Sequence, residues 1–311
     1  MFDTVRKIFR IWSVPLALAI GLSAQAASAQ QAGTLVSADP VVDTPPGQQA
    51  WRVRYATTDA NGASRVVTGM VVAPREQIPV EGRKVIAWTH GTWGVAERCA
   101  PSLSANFFAA TPALADMVAR GYVVVAPDYP GLGSAMPHPY LVIEDTGRSV
   151  LDAVRAARAI PGAASGTRFA VWGESQGGHA ALATGALARR YAPELSLVGT
   201  AAAAPPTDLR ANFSQGSDAN VRAMLTAFTT YSWSQHFGAS LSTVFKPAQR
   251  GIVTRLAQNN CIELGATPRL GTILGVASIK AALKGKDLGR ITAAGDVAEK
   301  KCAGACTGCA A

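Results

Sequence analysis

The sequence predicts an α/β protein with a mostly parallel central sheet and a helical insertion late in the chain. Three observations predict it. Compact β-runs of the kind buried on both faces occur at "KVIAW" (84–88), "YVVVA" (122–126) and "RFAVW" (168–172), and a helical pattern separates the last two, so strand and helix alternate. After Asp208 that rhythm stops, and residues 209–288 read as helical with Tyr231, Trp233, Phe237 and Phe245 among them. At 311 residues and 49% hydrophobic composition, one large domain with an insertion accounts for the length.

The N-terminus carries Arg6, Lys7 and Arg10, then an apolar block from Ile11 to Leu22 and the small-residue site Ala27-Ser28-Ala29. That order predicts a signal peptide over residues 1–29, cleaved after Ala29, and hence a secreted or periplasmic protein. A block of about 12 residues is short of the roughly 20 needed to span a bilayer; an uncleaved anchor is the other reading. Removing residues 1–29 takes away three basic residues and one acidic one and leaves a net charge of +7. Such a charge suits adsorption to an anionic surface, yet it is scattered, with Arg189-Arg190 and Lys300-Lys301 the longest basic runs. No nucleic-acid partner is expected.

Residues 30–50 are polar and proline-containing and read as an exposed lead-in. Trp51, Val53 and Tyr55 alternate with arginines, Asn61-Gly62 marks a turn, and 66–72 runs back, which predicts a hairpin. A helix is expected from Asp145 to Ile160, with Val150, Val154 and Ala157 inward and Arg148, Asp152 and Arg155 outward. The run at 195–204 reads as the next strand, closed by Pro205-Pro206, whereas "TILGVASI" at 272–279 is ambiguous. The expected organisation is therefore 30–208 as the core, 209–288 as a lid, cap or helical core extension, and 289–311 as a divergent tail.

The chemistry centres on "RFAVWGESQGGHAA", residues 168–181. A serine hydroxyl is a weak nucleophile and must stand exposed on a tight strand-to-helix corner, where the neighbouring backbone tolerates only glycine at the flanks; Gly173 and Gly177 meet that demand around Ser175. The following helix aims its free N–H groups at the place where an oxyanion forms, and the amide of Gln176 is one candidate donor. Strand 84–88 ends in Thr89-His90-Gly91-Thr92-Trp93-Gly94, which can turn a second donor, Thr92, toward the same point, with Gly91 allowing close passage. His90 reads as a loop-fixing residue, and so does His138 in "APDYPGLGSAMPHPY" (126–140), whose glycines lack the βαβ spacing and lysine of a phosphate loop.

Taken together, "WTHGTWGVAERCAPS", "DYPGLG" with "PHPYL", and "VWGESQGGHAA" resemble the secretory lipase family of α/β-hydrolases, the lipase A type, over roughly residues 40–288. The resemblance implies an α/β-hydrolase with a helical cap and an exported carboxylester hydrolase acting on lipid-like or small esters. It implies Ser175 as nucleophile, Gln176 and Thr92 as oxyanion donors, and a Cys99–Cys261 disulfide. A transient contact with a lipid interface goes with it.

Five cysteines in an exported chain also suggest disulfides with one thiol left over. Cys302, Cys306 and Cys309 have C-x3-C-x2-C spacing but lack a fourth ligand, so no metal and no cofactor is expected.

The pattern breaks at the base. In this fold the order is serine, acid, histidine, and of four histidines only His179 and His236 follow Ser175. His179 sits one turn along the elbow helix and reads as structural. His236 is the remaining candidate base, with Asp208 or Asp218 as its acid. The final segment "GRITAAGDVAEKKCAGACTGCAA" has Ile291 and Val297 as its only large aliphatics, and no strand is expected there. That predicts a truncated or frame-shifted family member. Three functions remain open: a secreted esterase or lipase, a non-catalytic acyl-binding remnant, and an exported peptidase or acyltransferase.

Overall fold

The computed structural model describes residues 30–286 apart from 77, 216, 217 and 264. The expected signal peptide and the tail cysteines Cys302, Cys306 and Cys309 lie outside the described residues. Seven strands form one sheet in the order β1-β2-β3-β5-β4-β6-β7. β1 (Leu35–Val41), β2 (Gln48–Thr58) and β3 (Ser64–Pro74) are antiparallel to their neighbours. β4 (Arg83–Thr89), β5 (Val123–Pro127), β6 (Ser165–Glu174) and β7 (Ser196–Ala203) run parallel. This is the mostly parallel α/β-hydrolase sheet that the β-runs predict.

The hairpin is longer than predicted, pairing Gln48 with Pro74 at one end and Thr58 with Ser64 at the other. The lead-in contains a strand that the sequence reading missed: β1 pairs with β2 along Leu35–Val41. Its Pro40 donates no hydrogen bond and is tolerated because β1 is an edge strand.

Helices cover the sheet. α1 (Phe107–Ala110) and α2 (Leu114–Ala119) lie near one face, where Phe107, Leu114 and Val118 pack on Met70, Val72, Trp88 and Val124. α3 (Ile143–Ala157) and α4 (Gln176–Tyr191) close the other, burying Val150, Leu151, Val154, Ala180 and Leu187 against Val71, Val85, Val125 and Val171. Val150, Val154 and Ala157 point inward as predicted, but Asp152 does not point out. It is fully buried and accepts hydrogen bonds from Thr57 (2.7 Å), Tyr191 (2.7 Å) and Arg155 (2.8 Å). A buried carboxylate is tolerable when its lone pairs are used in this way.

Beyond β7 the chain is helical: α5 (Leu209–Gln215), α6 (Ala219–His236), α7 (Pro247–Asn259) and α8 (Leu270–Leu283). The ambiguous 272–279 run belongs to α8, where Ile279 is buried among Val253, Leu256 and Phe245. The apolar run fits either period; its packing against two helices decides the outcome. Cys99 and Cys261 form a disulfide with Cα atoms 5.2 Å apart. Beside it Ile262 N–H donates to the Trp93 carbonyl at 2.8 Å.

β7 is the exception to a covered sheet. Six of its eight residues are exposed, Val198 to 56%, and its outer edge pairs with no strand among the described residues. The strand carries no charge and no proline, so no residue of the strand itself blunts that edge. The chain is expected to self-associate through β7: Val198→Lys should lower the high-molecular-weight fraction in light scattering while leaving the circular dichroism spectrum unchanged. Equal association of the variant and the parent would contradict it.

Candidate active site at the β6–α4 corner

Ser175 stands between β6 and α4 with φ 55° and ψ −120°, a conformation that non-glycine residues seldom adopt. Its surroundings force this geometry. A Cβ at Gly173 or Gly177 would run into the Thr89 carbonyl, and one at Gly178 would come within 2.7 Å of the Ala203 carbonyl. Thr89 Oγ1 donates to the carbonyls of Trp172 (2.9 Å) and Gly177 (2.8 Å), locking the end of β4 against both sides of the corner. Ser175 N–H is used by the Ala203 carbonyl at 2.9 Å. The N–H of Gln176, first residue of α4, has no intrahelical acceptor and remains a candidate anion donor.

Ser175 is partly exposed and lines a cavity of about 220 Å³ with Tyr140, Leu141, Leu209, Phe213 and Leu225. Gly91 lies beside the corner, but a Cβ there would meet the Glu174 carbonyl only at 3.5 Å, an ordinary contact, so the close passage expected of Gly91 does not itself require glycine. Thr92 Oγ1 shares a 2.7 Å hydrogen bond with Tyr140 OH. Ser175, Gln176, Gly91 and Thr92 thus gather at one sheet edge. Tyr140 is the residue that sequence reading left without a role; its signal was the "PHPYL" stretch. Burial pushes its phenol up to about 12, partly offset by the Thr92 bond, so it stays neutral.

Two buried imidazoles hold the loops around this edge. His138 Nδ1 lies 2.7 Å from the Pro130 carbonyl and Nε2 lies 3.1 Å from Gln176 Nε2. The amide donates, so the ring carries its proton on Nδ1. Burial pushes His138 down to about 3 and His90 down to about 4, so both rings are neutral at neutral pH. His90 contacts the carbonyls of Gly91 (2.6 Å) and Asp128 (3.2 Å) and stacks on Tyr129 at 4.1 Å. His179 is buried in α4.

The proposed acid and base are not brought together. Asp208 is exposed and caps α5, accepting from Ala211 N–H at 2.9 Å. His236 ends α6 and lies 4.0 Å from the Asp145 carboxylate of α3 and edge-on to Phe237. Neither lines the Ser175 cavity; Asp218, the alternative acid, does, and caps α6 through Asn220 and Val221 N–H. His236 faces Asp145 across that 4.0 Å gap without a hydrogen bond, a juxtaposition that a search downstream of Ser175 misses because the acid lies upstream. Burial holds the Asp145 carboxyl above the usual carboxylate range, with His236 opposing the rise and Asp59 adding to it.

A sharp strand–serine–helix corner on a mostly parallel sheet defines this chain as an α/β-hydrolase by fold. Comparison with known proteins agrees with the family that the motifs resemble: the secretory lipase model matches residues 104–236. Lipase 9 of Candida albicans is 30% identical over 168 residues, covering 50% of this chain and 36% of its own length. A Mycobacterium tuberculosis protein named a probable inactive lipase is 29% identical over 175 residues, covering 53% of this chain and 38% of its own length. The chain thus spans well under half the length of these relatives. In structure, Candida antarctica lipase A in its closed state superposes with a TM-score of 0.62 at 20% identity, over 74% of this chain and 56% of that one.

Two outcomes test this geometry. Gly177→Ala should destabilise the fold by at least about 2 kcal/mol in urea unfolding, because the Thr89 backbone cannot retreat. Burial also lifts Asp128 from its ordinary 3.8 to about 6, although Ser102 and Thr68 donate to it. A carboxyl that holds its proton more tightly when folded favours folding below 3.8 and loses that contribution as pH rises toward about 6. Unfolding free energies across that window should therefore fall less steeply in Asp128→Asn than in the parent chain.

Proposed function

We propose that the chain is an exported serine carboxylester hydrolase of the lipase or esterase kind, acting on lipid-like or small esters. Ser175 Oγ bonds to the acyl carbon as the ester C–O bond breaks, and the hydroxyl proton leaves with the alcohol. Gln176 N–H and Thr92, with Gly91 giving close approach, stabilise the oxyanion. Residues 30–208 serve as the core and 209–288 as the cap over the acyl cavity, with residues 1–29 as the export signal.

One observation carries this reading: Ser175 is held in left-handed backbone at the start of α4 and opens on a cavity walled by α5 and α6. The resemblance to secretory lipases supports the ester class.

A second reading, an acyl-binding protein without turnover, is favoured by a specific feature: among the described residues no histidine lines that cavity. A serine without its base keeps only oxyanion and binding contributions, orders of magnitude below a working triad.

Labelling with a fluorophosphonate probe separates the two. Covalent labelling of the parent chain that disappears in Ser175→Ala is the expected result; a folded parent that takes no label leaves the acyl-binding reading. Hydrolysis of p-nitrophenyl esters of graded chain length then defines the acyl preference.

A further inference from the structure

The positive charge that looks scattered in sequence is gathered by the topology at the end of the sheet opposite Ser175. β4, β5 and β6 all begin there. Val85 pairs with Val123 on one side and with Phe169 on the other, and Lys84, Tyr122 and Arg168 immediately precede these three, Lys84 at an irregularity between Arg83 and Val85. Together with Arg120, just beyond α2, they line a cavity of about 540 Å³.

The charge in this cavity is not balanced. Lys84, Arg120 and Arg168 are exposed, and among the described residues none is in an ion pair or donates a side-chain hydrogen bond. Arg83 lies beneath them, 3% exposed, and its guanidinium donates to the carbonyls of Gly162, Ala163 and Glu76. Those partners are carbonyls, and the Glu76 carboxylate, outside the cavity lining, offsets part of the Arg83 charge. Glu81 is the only carboxylate among the lining residues, against four cations. On the rim Gly121 faces open space, whereas Gly82, at φ 77°, packs against Gly166 and the Ala164 carbonyl, so no large apolar side chain stands there between the cations and the hollow. A concave surface with one sign of charge concentrates the field and draws in counter-ions.

We propose that this hollow binds phosphate-type oxyanions and, through them, seats the protein on surfaces that carry them. Two guanidinium forks and an ammonium offer more donors than a monovalent carboxylate can use, and they match a tetrahedral, multiply charged oxyanion. The cavity has room for a phosphate together with its substituent. β6 runs ten residues from this end to the corner, about 30 Å at strand rise. A chain bound here therefore turns its Ser175 edge away from the surface, and the site stands independently of whether Ser175 turns over an ester.

The full chain is tested with two probes: inorganic phosphate by titration calorimetry, and sedimentation with phosphatidylcholine vesicles prepared with and without phosphatidylglycerol. Two triple variants of equal net charge are compared, Lys84→Gln/Arg120→Gln/Arg168→Gln in the hollow and Arg54→Gln/Arg75→Gln/Arg98→Gln elsewhere. The expected result is selective binding of the phosphatidylglycerol vesicles at low salt. Binding weakens on the order of a hundredfold in the hollow variant and much less in the control, and it fades as added salt shortens the electrostatic reach.

Heat from inorganic phosphate that is lost in the hollow variant identifies a site for the free anion. Vesicle binding without such heat identifies the lipid headgroup as the source. Equal losses in the two triple variants, or no binding of either probe by the parent chain, overturn the proposal.

Discussion

The whole C-terminal edge of the sheet depends on the approach of Thr89 to the β6–α4 corner. Its carbonyl occupies the space where side chains at 173 and 177 would stand, and its hydroxyl ties Trp172 to Gly177 across the turn. With both flanks stripped to glycine, the chain turns from strand to helix at a single residue, and that residue must accept left-handed backbone. Strain of about 1–3 kcal/mol at Ser175 persists because packing on every side over-determines it. The same contact carries β4 directly into His90, Gly91 and Thr92, so the loop that could supply a second anion donor is placed by the constraint that shapes the corner.

Around that corner buried polar side chains bond to the loop backbone and to one another, which ties the loops together, although Gln176 Oε1 and Trp172 Nε1 are buried without a hydrogen-bond partner. His90 and Tyr129 stack, Tyr129 OH donates to the His90 carbonyl at 3.0 Å, and His138 links Pro130 to Gln176. The helical layer clasps the same loop: Ser232 Oγ donates to the His138 carbonyl at 2.6 Å, and Trp233 Nε1 to that of Tyr140 at 3.0 Å. The Cys99–Cys261 bridge ties the segment just after α7 to the segment that follows β4. The cavity at Ser175 therefore lies between two layers fastened at separate points, which limits how far α5 and α6 move without breaking buried hydrogen bonds.

The features legible in the sequence are those written in consecutive residues. Gly-x-Ser-x-Gly between a β-run and a helix, the buried parallel strands, and the inward stripe of α3 each need only local sterics or periodicity. What escaped reading is decided by distant partners. β1 is strand because β2 offers an edge; residues 272–279 are helix because Leu256 and Phe245 are there to receive Ile279. Asp152 is inside because Thr57 and Tyr191 can satisfy it, and His236 faces Asp145 from another element altogether. The pairing of Cys99 with Cys261 is legible only through the family likeness, since 162 residues separate them and spacing alone names no partner.

Sheet polarity orders these observations. In a parallel sheet all strands start at one end and finish at the other, so residues at equal depth in separate strands meet however far apart they lie in sequence. At the finishing end, glycine-lined backbone and the positive start of α4 converge on Ser175, where charge is transient and is met by N–H dipoles. At the starting end, Lys84, Arg120 and Arg168 converge with full, permanent charge, and Glu81 is the one carboxylate among the residues that line their cavity. Dipoles suit an anion that exists only during reaction, whereas unpaired cations suit one that arrives already ionised. The two ends therefore meet negative charge by different means, and mutations at one should leave the other unchanged because a ten-residue strand separates them.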